Sequence, residues 1–237
     1  MREGVLPLSQ FSTIDALMQG IYDGPATFAE VARHGDFGIG TVNHLDGEMI
    51  GLGGKFFQIT SDGTVHQLPL TAKTSFATVC FFKGAHTATV PELRSYSALQ
   101  RWLDSRMGSV NDFWAGRIDG HFSMVRARSI SRQKPPYLPL AVVARSESIF
   151  EVRNVKGTLV GFRCPPYVRG LNVAGYHFHF LSEDESFGGH VLGCRIREGE
   201  AGWQVHRTFQ MVLPDDPKFR QADLSVHDEE ALGKVER

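Results

Sequence analysis

The chain has 237 residues, of which 42% are hydrophobic and 22% charged, so it can fold as one large or two small globular domains. The formal net charge of -1 gives no support for a nucleic-acid partner, and no run approaches the ~20 apolar residues of a membrane helix. The N-terminus lacks the apolar core of a signal peptide, and Cys80, Cys164 and Cys194 have no CxxC spacing. We therefore expect a cytoplasmic protein with reduced, buried thiols.

The first predicted element is a short helix near the N-terminus. Ser12-Thr-Ile-Asp15 resembles a capping box, and Gly20 stands where the helix would end. From residue 35 the pattern changes to alternating apolar residues with three Asp-Gly pairs, at 46–47, 62–63 and 119–120. Because Asp-Gly favours tight turns, we predict hairpins there, most clearly in GKFFQITSDGTVHQL at 54–68.

The main predicted helix spans residues 91–107. Pro91 stands at its start and Gly108 directly after its end. The apolar side chains that recur at helical spacing between them are Leu93, Tyr96, Leu99, Leu103 and Met107.

Strands return after this helix and continue through most of the chain. The segment RIDGHFSMVRARSI covers 117–130, and a second strand-rich block runs from about Val142 to Leu213. The proline-rich segment 132–137 between them is a candidate crossing between domains. Mostly antiparallel strands with few helices predict an α+β fold with one or two sheet domains.

Three histidines are concentrated in GYHFHFLSEDESFGGHVLGCRI, residues 175–196. In a strand, His177 and His179 point to one face, opposite Phe178 and Phe180. If the next strand pairs as a hairpin, His190 returns beside His179, and three imidazoles can reach one metal ion. Three nitrogen ligands without a fourth favour an open, catalytic zinc site, although the spacing does not exclude iron, manganese, cobalt or nickel.

Two other interpretations of these histidines stay open at this point. They could be unrelated, partly buried imidazoles that make ordinary hydrogen bonds. The spacing His177-x-His179-x-x-x-Glu183 also begins a cupin signature, in which Glu183 would be a ligand and His206 a further candidate.

Charged residues in apolar surroundings provide a second set of candidates. A guanidinium on an apolar face either reaches water at the sheet edge or clamps a substrate carboxylate. Glu48 follows a predicted turn, where it is either solvated or a proton-transfer group with a raised pKa. The arginines concerned, Arg126 and Arg128, lie on a predicted strand face whose other residues are Phe122, Met124 and Ile130.

Taken together, these motifs resemble the alpha-acetolactate decarboxylase family over essentially the whole chain. The segments that carry the resemblance are FSTIDALMQGIYDG, GDFGIGTVNHLDGEMI, GHFSMVRARSI and GYHFHFLSEDESFGGHVL. The last is the most specific, because the family has a His-x-His pair and a third histidine eleven residues on. The resemblance implies that His177, His179 and His190 bind zinc.

The resemblance also implies roles for residues outside the histidine segment. Arg128 and Glu48 match active-site positions of the family, and Thr41 matches a position that lines its pocket. A second active-site glutamate comes from the C-terminal tail and is matched by Glu236. Other tail glutamates that remain candidates for this role are Glu229 and Glu230.

The fold that the resemblance implies has two mixed, mostly antiparallel sheet domains with few helices and zinc in the cleft between them. Residues 1–140 would hold the main helix, and 141–237 the metal histidines and the active-site tail. A homodimer is expected.

The implied reaction converts (S)-2-acetolactate to (R)-acetoin and carbon dioxide, in acetoin and 2,3-butanediol biosynthesis. The metal would chelate the ketone and hydroxyl oxygens, the arginine would hold the carboxylate, and a glutamate or the arginine would relay the proton. Two alternatives are a cupin-like isomerase or dioxygenase and a non-catalytic metabolite-binding module with a structural zinc.

Overall fold

The computed structural model describes residues 7–236 and consists of two β-sheets with few helices, which confirms the predicted α+β class. Its strands are β1 (Leu8–Phe11), β2 (Phe37–Thr41), β3 (Glu48–Leu52), β4 (Lys55–Ile59), β5 (Val65–Gln67), β6 (Phe76–Cys80), β7 (His86–Val90), β8 (Phe113–Ser129), β9 (Ser148–Cys164), β10 (Gly175–Ser182), β11 (Gly188–His206) and β12 (Phe209–Val212). Its α-helices are α1 (Ile14–Met18), α2 (Phe28–Val31), α3 (Tyr96–Asp104), α4 (Leu140–Val143), α5 (Pro217–Gln221) and α6 (Glu229–Val235). Short 3-10 helices lie at Asn43–Leu45, Ala144–Ser146 and Pro166–Val168.

The strands form a seven-stranded sheet in the order β12-β1-β6-β2-β3-β4-β5 and a five-stranded sheet in the order β10-β9-β8-β11-β7. Within residues 7–236, neighbouring strands of both sheets pair antiparallel except β1 with β12. Strand β10 pairs with β9 on one side and with β11 on the other, so β8 to β11 form a closed ring.

The largest apolar contacts lie on both faces of the five-stranded sheet. Ile39 and Ile50 of the seven-stranded sheet pack against Val160 and Phe162 of β9, which joins the two sheets in one core. Helix α3 covers the opposite face through residues that include Leu99. Residues 157–162 of β9 are therefore buried on both faces, which makes this part of the sheet a rigid support for side chains.

Helices α1, α4 and α6 pack together beside the two sheets. They come from widely separated parts of the chain and share one apolar cluster. The residues that they contribute are Ile14, Leu17, Leu140, Val143, Leu232 and Val235. This cluster holds the C-terminal helix against the body of the protein.

The two predicted helices form, but their limits differ from the prediction. Thr13 rather than Ser12 caps α1, since its side chain accepts a hydrogen bond from the Ala16 N–H at 3.1 Å. Helix α3 is shorter than the predicted 91–107, because Ser95 caps it. Leu93 pairs instead with the backbone of Ile196, which keeps this part of the chain extended.

The Asp-Gly pairs behave differently from one another. The predicted 54–68 hairpin is confirmed as β4 and β5, with Gly63 at a φ of 83° in its turn. Gly47 also turns the chain, at a φ of 80°. The turn predicted at Asp119-Gly120 is wrong, because β8 continues through it and Gly120 lets the neighbouring strand approach closely.

The sheets do not follow the order of the chain. Strands β7 and β8 precede residue 140 but belong to the five-stranded sheet, while β12 follows it and belongs to the seven-stranded sheet. The division into domains 1–140 and 141–237 stays a prediction.

The three cysteines are buried and free, as predicted. Among residues 7–236, no helix has the length and apolar character needed to cross a membrane.

Candidate active site

The three predicted metal histidines converge on one hairpin. His179 of β10 lies directly opposite His190 of β11, which confirms the predicted pairing. Phe178 and Phe180 point to the other face and join the core beneath. Gly188 permits this close pairing, because a Cβ atom there would lie 2.6 Å from the Phe180 carbonyl oxygen.

The imidazole rings surround a small space that suits a cation. Candidate ligand atoms of His177, His179 and His190 lie within 4.8 Å of one another. The Nε2 atoms of His179 and His190 are buried and have no hydrogen-bond partner in the described structure. Because such buried polar atoms are costly, this donor set fits a metal ion that would satisfy them.

A backbone contact fixes the orientation of His179. Its Nδ1 atom lies 2.9 Å from the carbonyl oxygen of Met49, so Nδ1–H donates and Nε2 keeps the lone pair. Metal-ligating histidines are commonly oriented in this way. The other two rings contact each other, with His177 Nε2 3.0 Å from His190 Nδ1.

Burial also favours the neutral form of all three rings. It lowers the pKa of His177 to about 3, with a further contribution from the charge of Arg128. The pKa values of His179 and His190 lie well below the usual value, again mainly because of burial. Neutral imidazole is the form that binds metals.

Arg128 lies on the strand beside this hairpin. On β8 it is paired with His190 of β11, and it is only 3% exposed. The predicted apolar face is wrong, because an irregular pairing between Phe122 and Met124 shifts the alternation. Phe122 before the shift and Val125 and Ala127 after it are the core residues of this segment. Arg126 is exposed and reaches water, whereas Arg128 is buried.

Three carboxylates surround the buried guanidinium. Glu48 Oε1 lies 3.3 Å from Nη1 of Arg128, Glu147 Oε2 3.3 Å from Nε, and Glu236 Oε1 3.9 Å from Nη2. Burial raises the pKa of Glu48 and of Glu236 to about 7 against the opposing effect of Arg128. Burial also raises the pKa of Glu147. Such an arrangement can hold an anion, exchange protons, or do both.

Sequence reasoning missed Glu147. It follows the proline-rich segment and stands one residue before β9, with no motif around it. Glu147 could have been predicted only from the pairing of the strand that follows it with the strand of Arg128. The sequence does not indicate which strands pair.

The structure distinguishes between the candidate glutamates of the tail. Glu236 follows α6 and lies 3.7 Å from His177 Nε2 through its Oε2 atom. Glu229 instead pairs with Arg169, and Glu230 with Lys234, both at the surface. Among the three, only Glu236 is brought to the histidines.

These residues line one cavity between the two sheets. Glu48 and Thr41 come from the seven-stranded sheet, and the histidines and Arg128 from the five-stranded sheet. Thr41 is buried, and its hydroxyl donates to the Gly47 carbonyl oxygen at 2.6 Å. The remaining wall is mainly apolar and consists of Ile14, Leu17, Gly40, Leu45, Phe76, Ile130, Leu140 and Val235.

The additional ligands of a cupin site are not brought to this cavity. Glu183 is exposed and lines a different cavity. His206 is buried, with Nε2 3.0 Å from the side-chain nitrogen of Gln204. In the described part of the chain, the histidine cluster that could hold a metal ion contains neither residue.

Comparison with known proteins supports the family resemblance that the sequence motifs indicated. The alpha-acetolactate decarboxylase family model matches residues 8–226. The chain is 47% identical to the alpha-acetolactate decarboxylase of Methylococcus capsulatus over 96% of this chain and 87% of that protein. It is 46% identical to that of Methanosarcina mazei, over 97% and 80%.

A solved structure extends the match to the fold. The crystal structure of alpha-acetolactate decarboxylase from Bacillus subtilis strain 168 superposes with a TM-score of 0.91 at 34% identity, covering 97% of each chain. The family model ends before Glu236, whose position therefore rests on the structure. From the extent of these matches, we conclude that the chain belongs to the alpha-acetolactate decarboxylase family.

Proposed function

We propose that this protein decarboxylates (S)-2-acetolactate to (R)-acetoin and carbon dioxide, with a zinc ion held by His177, His179 and His190. The observation that carries the proposal is that three imidazoles share one cavity with a buried arginine, and that two of them are buried with Nε2 atoms that make no hydrogen bond in the described structure. The family membership of the chain supports the choice of substrate.

The cavity provides imidazole nitrogens as metal ligands, and the carboxyl groups around Arg128 favour an additional positive charge. When bound, zinc supplies Lewis acidity toward the ketone and hydroxyl oxygens of the substrate. Three carboxyl groups face a single guanidinium in the cavity wall, so a further cation there is electrostatically favourable. The imidazoles hold the cation, and the backbone of Met49 fixes the ring of His179.

Arg128 binds the carboxylate of the substrate. Its planar guanidinium can donate two parallel hydrogen bonds and hold the carboxylate out of the plane of the neighbouring ketone. The bond between C1 and C2 then breaks, its electron pair passes into the ketone, and carbon dioxide leaves. The product of this step is an enediolate, so no other electron acceptor is required.

Protonation of one carbon of the enediolate completes the reaction. Glu48 and Glu236 line the cavity next to the histidines, and Arg128 lies between them. These three groups can relay the proton and present it to one face, which gives one enantiomer of acetoin. The apolar wall, which includes Phe76 and Leu140, keeps water from the reacting carbons.

The assembly and location of the protein are further parts of the proposal. We infer a homodimer from the family resemblance, and a cytoplasmic location from the three free, buried cysteines. Light scattering of the purified protein at several concentrations tests the dimer, and a monomer throughout would contradict it.

The first experiment is to supply racemic acetolactate to the purified protein and to measure acetoin, before and after removal of metal. We expect acetoin formation that chelation abolishes and zinc restores. A protein that forms no acetoin with bound zinc would contradict the proposed reaction. A structural metal would instead unfold the protein when it is removed, so melting curves with and without chelator separate this case.

A further inference from the structure

The guanidinium of Arg128 contacts two carboxylates that line the cavity and one that does not. Glu48 and Glu236 belong to the cavity wall, on the side of the terminal nitrogens Nη1 and Nη2. Glu147 is outside the cavity wall and contacts the Nε atom at 3.3 Å. Glu147 is therefore placed to act on the arginine without touching a ligand in the cavity.

This contact limits the orientation of the guanidinium plane. Nε is buried and makes no aligned hydrogen bond in the described structure, and its polar contact there is the ion pair with Glu147. A guanidinium is planar, and a carboxylate beside Nε fixes the direction in which the two terminal nitrogens point. In this protein they point toward the glutamates of the cavity wall.

The fold places Glu147 on a well-supported part of the backbone. Arg128 of β8 is paired with Ile149 of β9, so Glu147 is its diagonal neighbour, within reach of a long side chain. Its backbone N–H donates to the Ala144 carbonyl oxygen at 3.3 Å, directly after a 3-10 helix. The side chain is 18% exposed, which leaves it near the surface behind the arginine.

We propose that Glu147 is a positioning residue that holds the guanidinium plane of Arg128 so that Nη1 and Nη2 face the substrate carboxylate. The inference rests on the proposed function, in which Arg128 binds that carboxylate. Glu147 also leaves the buried guanidinium paired with one carboxylate that the substrate does not displace.

The test is a double-mutant cycle in the zinc-loaded enzyme. Glu147→Gln keeps the shape of the side chain and removes its charge. We expect kcat/KM for acetolactate to fall on the order of 10- to 100-fold, because a displaced guanidinium misaligns the bond that breaks. In an Arg128→Lys background the same change should alter kcat/KM less than about threefold, since no planar fork remains to be oriented. Zinc content should stay unchanged in both variants.

Glu151→Gln is the matched control. Glu151 is an exposed glutamate of β9, the strand that follows Glu147, and its partner is Arg153 rather than the active-site arginine. This variant should retain the kcat/KM of the unmodified protein. Glu147→Asp, which keeps the charge on a shorter side chain, provides the same cycle if the glutamine variant does not accumulate in folded form.

A second measurement separates this inference from the proposed reaction. 2-Hydroxy-2-methylbutanoate has the carboxylate and hydroxyl but no ketone, so it cannot decarboxylate, and calorimetry gives its Kd. We expect Glu147→Gln to weaken its binding in the unmodified background and not in Arg128→Lys. This coupling without acetoin formation would reject the reaction and keep the positioning role. Equal losses in both backgrounds, or unchanged kcat/KM and Kd, would overturn the role of Glu147.

Discussion

The histidine side of the cavity and the carboxylate side differ in how their residues are distributed along the chain. His177, His179 and His190 belong to one hairpin, and a single strand pairing brings them together. The carboxylates come from the start of β3, the segment before β9 and the end of α6. The first side therefore depends on local pairing, whereas the second exists only when the whole fold has formed.

The largest effect should follow a change on the histidine side. His179→Ala should remove zinc and activity together, with a loss of kcat on the order of 10³-fold, because the metal supplies several kcal/mol of transition-state stabilisation. Metal analysis and acetoin formation measure both. His66→Ala, a change at an exposed histidine of β5, is the control and should retain both. Full zinc content in His179→Ala would exclude this ligand.

A change at the boundary between the two sides should separate binding of metal from turnover. We expect Arg128→Lys to keep its zinc and to lose about 100-fold in kcat/KM, because an ammonium group lacks the planar fork. Arg126→Lys changes an exposed arginine of the same strand and should be neutral. Equal activity of the two variants would show that Arg128 does not act in the reaction.

A smaller effect should follow a change confined to the carboxylate side. Glu236→Gln should lower kcat about tenfold, less than loss of a sole general acid or base, because Glu48 remains in the cavity. Its zinc content and Tm should change little. Glu230→Gln, in which a surface glutamate of α6 changes, is the control. A normal kcat for Glu236→Gln would show that this residue takes no part in turnover.

The last effect leaves turnover aside and concerns the stability of the sheet that carries the histidines. Burial raises the pKa of Cys164 on β9 and of Cys194 on β11 to about 12. Unfolded thiols titrate near pH 8.5, so above that pH the unfolded chain binds fewer protons than the folded one. The free energy of unfolding should then fall with rising pH, by about 1 kcal/mol per pH unit for each thiol.

Urea unfolding at pH 8 and pH 10 measures this effect. Buried tyrosines also resist deprotonation, so the comparison that counts is with Cys164→Ala and Cys194→Ala, which should each show a shallower decline. The same decline in all three proteins would assign the pH dependence to other groups.

The difference between the two sides also explains what the sequence could predict. Alternation and a hairpin were enough to predict that His179 and His190 lie side by side, because neighbouring residues determine both. The same kind of reasoning failed on β8, where an irregular pairing with β11 exchanged the faces of the strand. A bulge depends on how two strands pair, so it cannot be predicted from the residue pattern of one strand alone.

Long-range pairing was the other source of error. Glu147 reaches Arg128 because β9 pairs with β8, and no residue near Glu147 indicates this. The resemblance to a family indicated Glu236, but its proximity to the histidines depends on the packing of α6 against α4. Sheet order is likewise a property of the folded chain, so strands on either side of residue 140 share one sheet.

The position of Glu236 near the end of the chain has a consequence for synthesis of the protein on the ribosome. It lies 46 positions after His190, which corresponds to roughly 2 to 9 seconds of elongation at the usual rate of translation. The metal-ligand hairpin is therefore synthesised before the glutamate that completes the carboxylate side. A product that terminates early in this interval retains all three imidazoles but lacks Glu236, so it contains the candidate metal ligands without the complete carboxylate side.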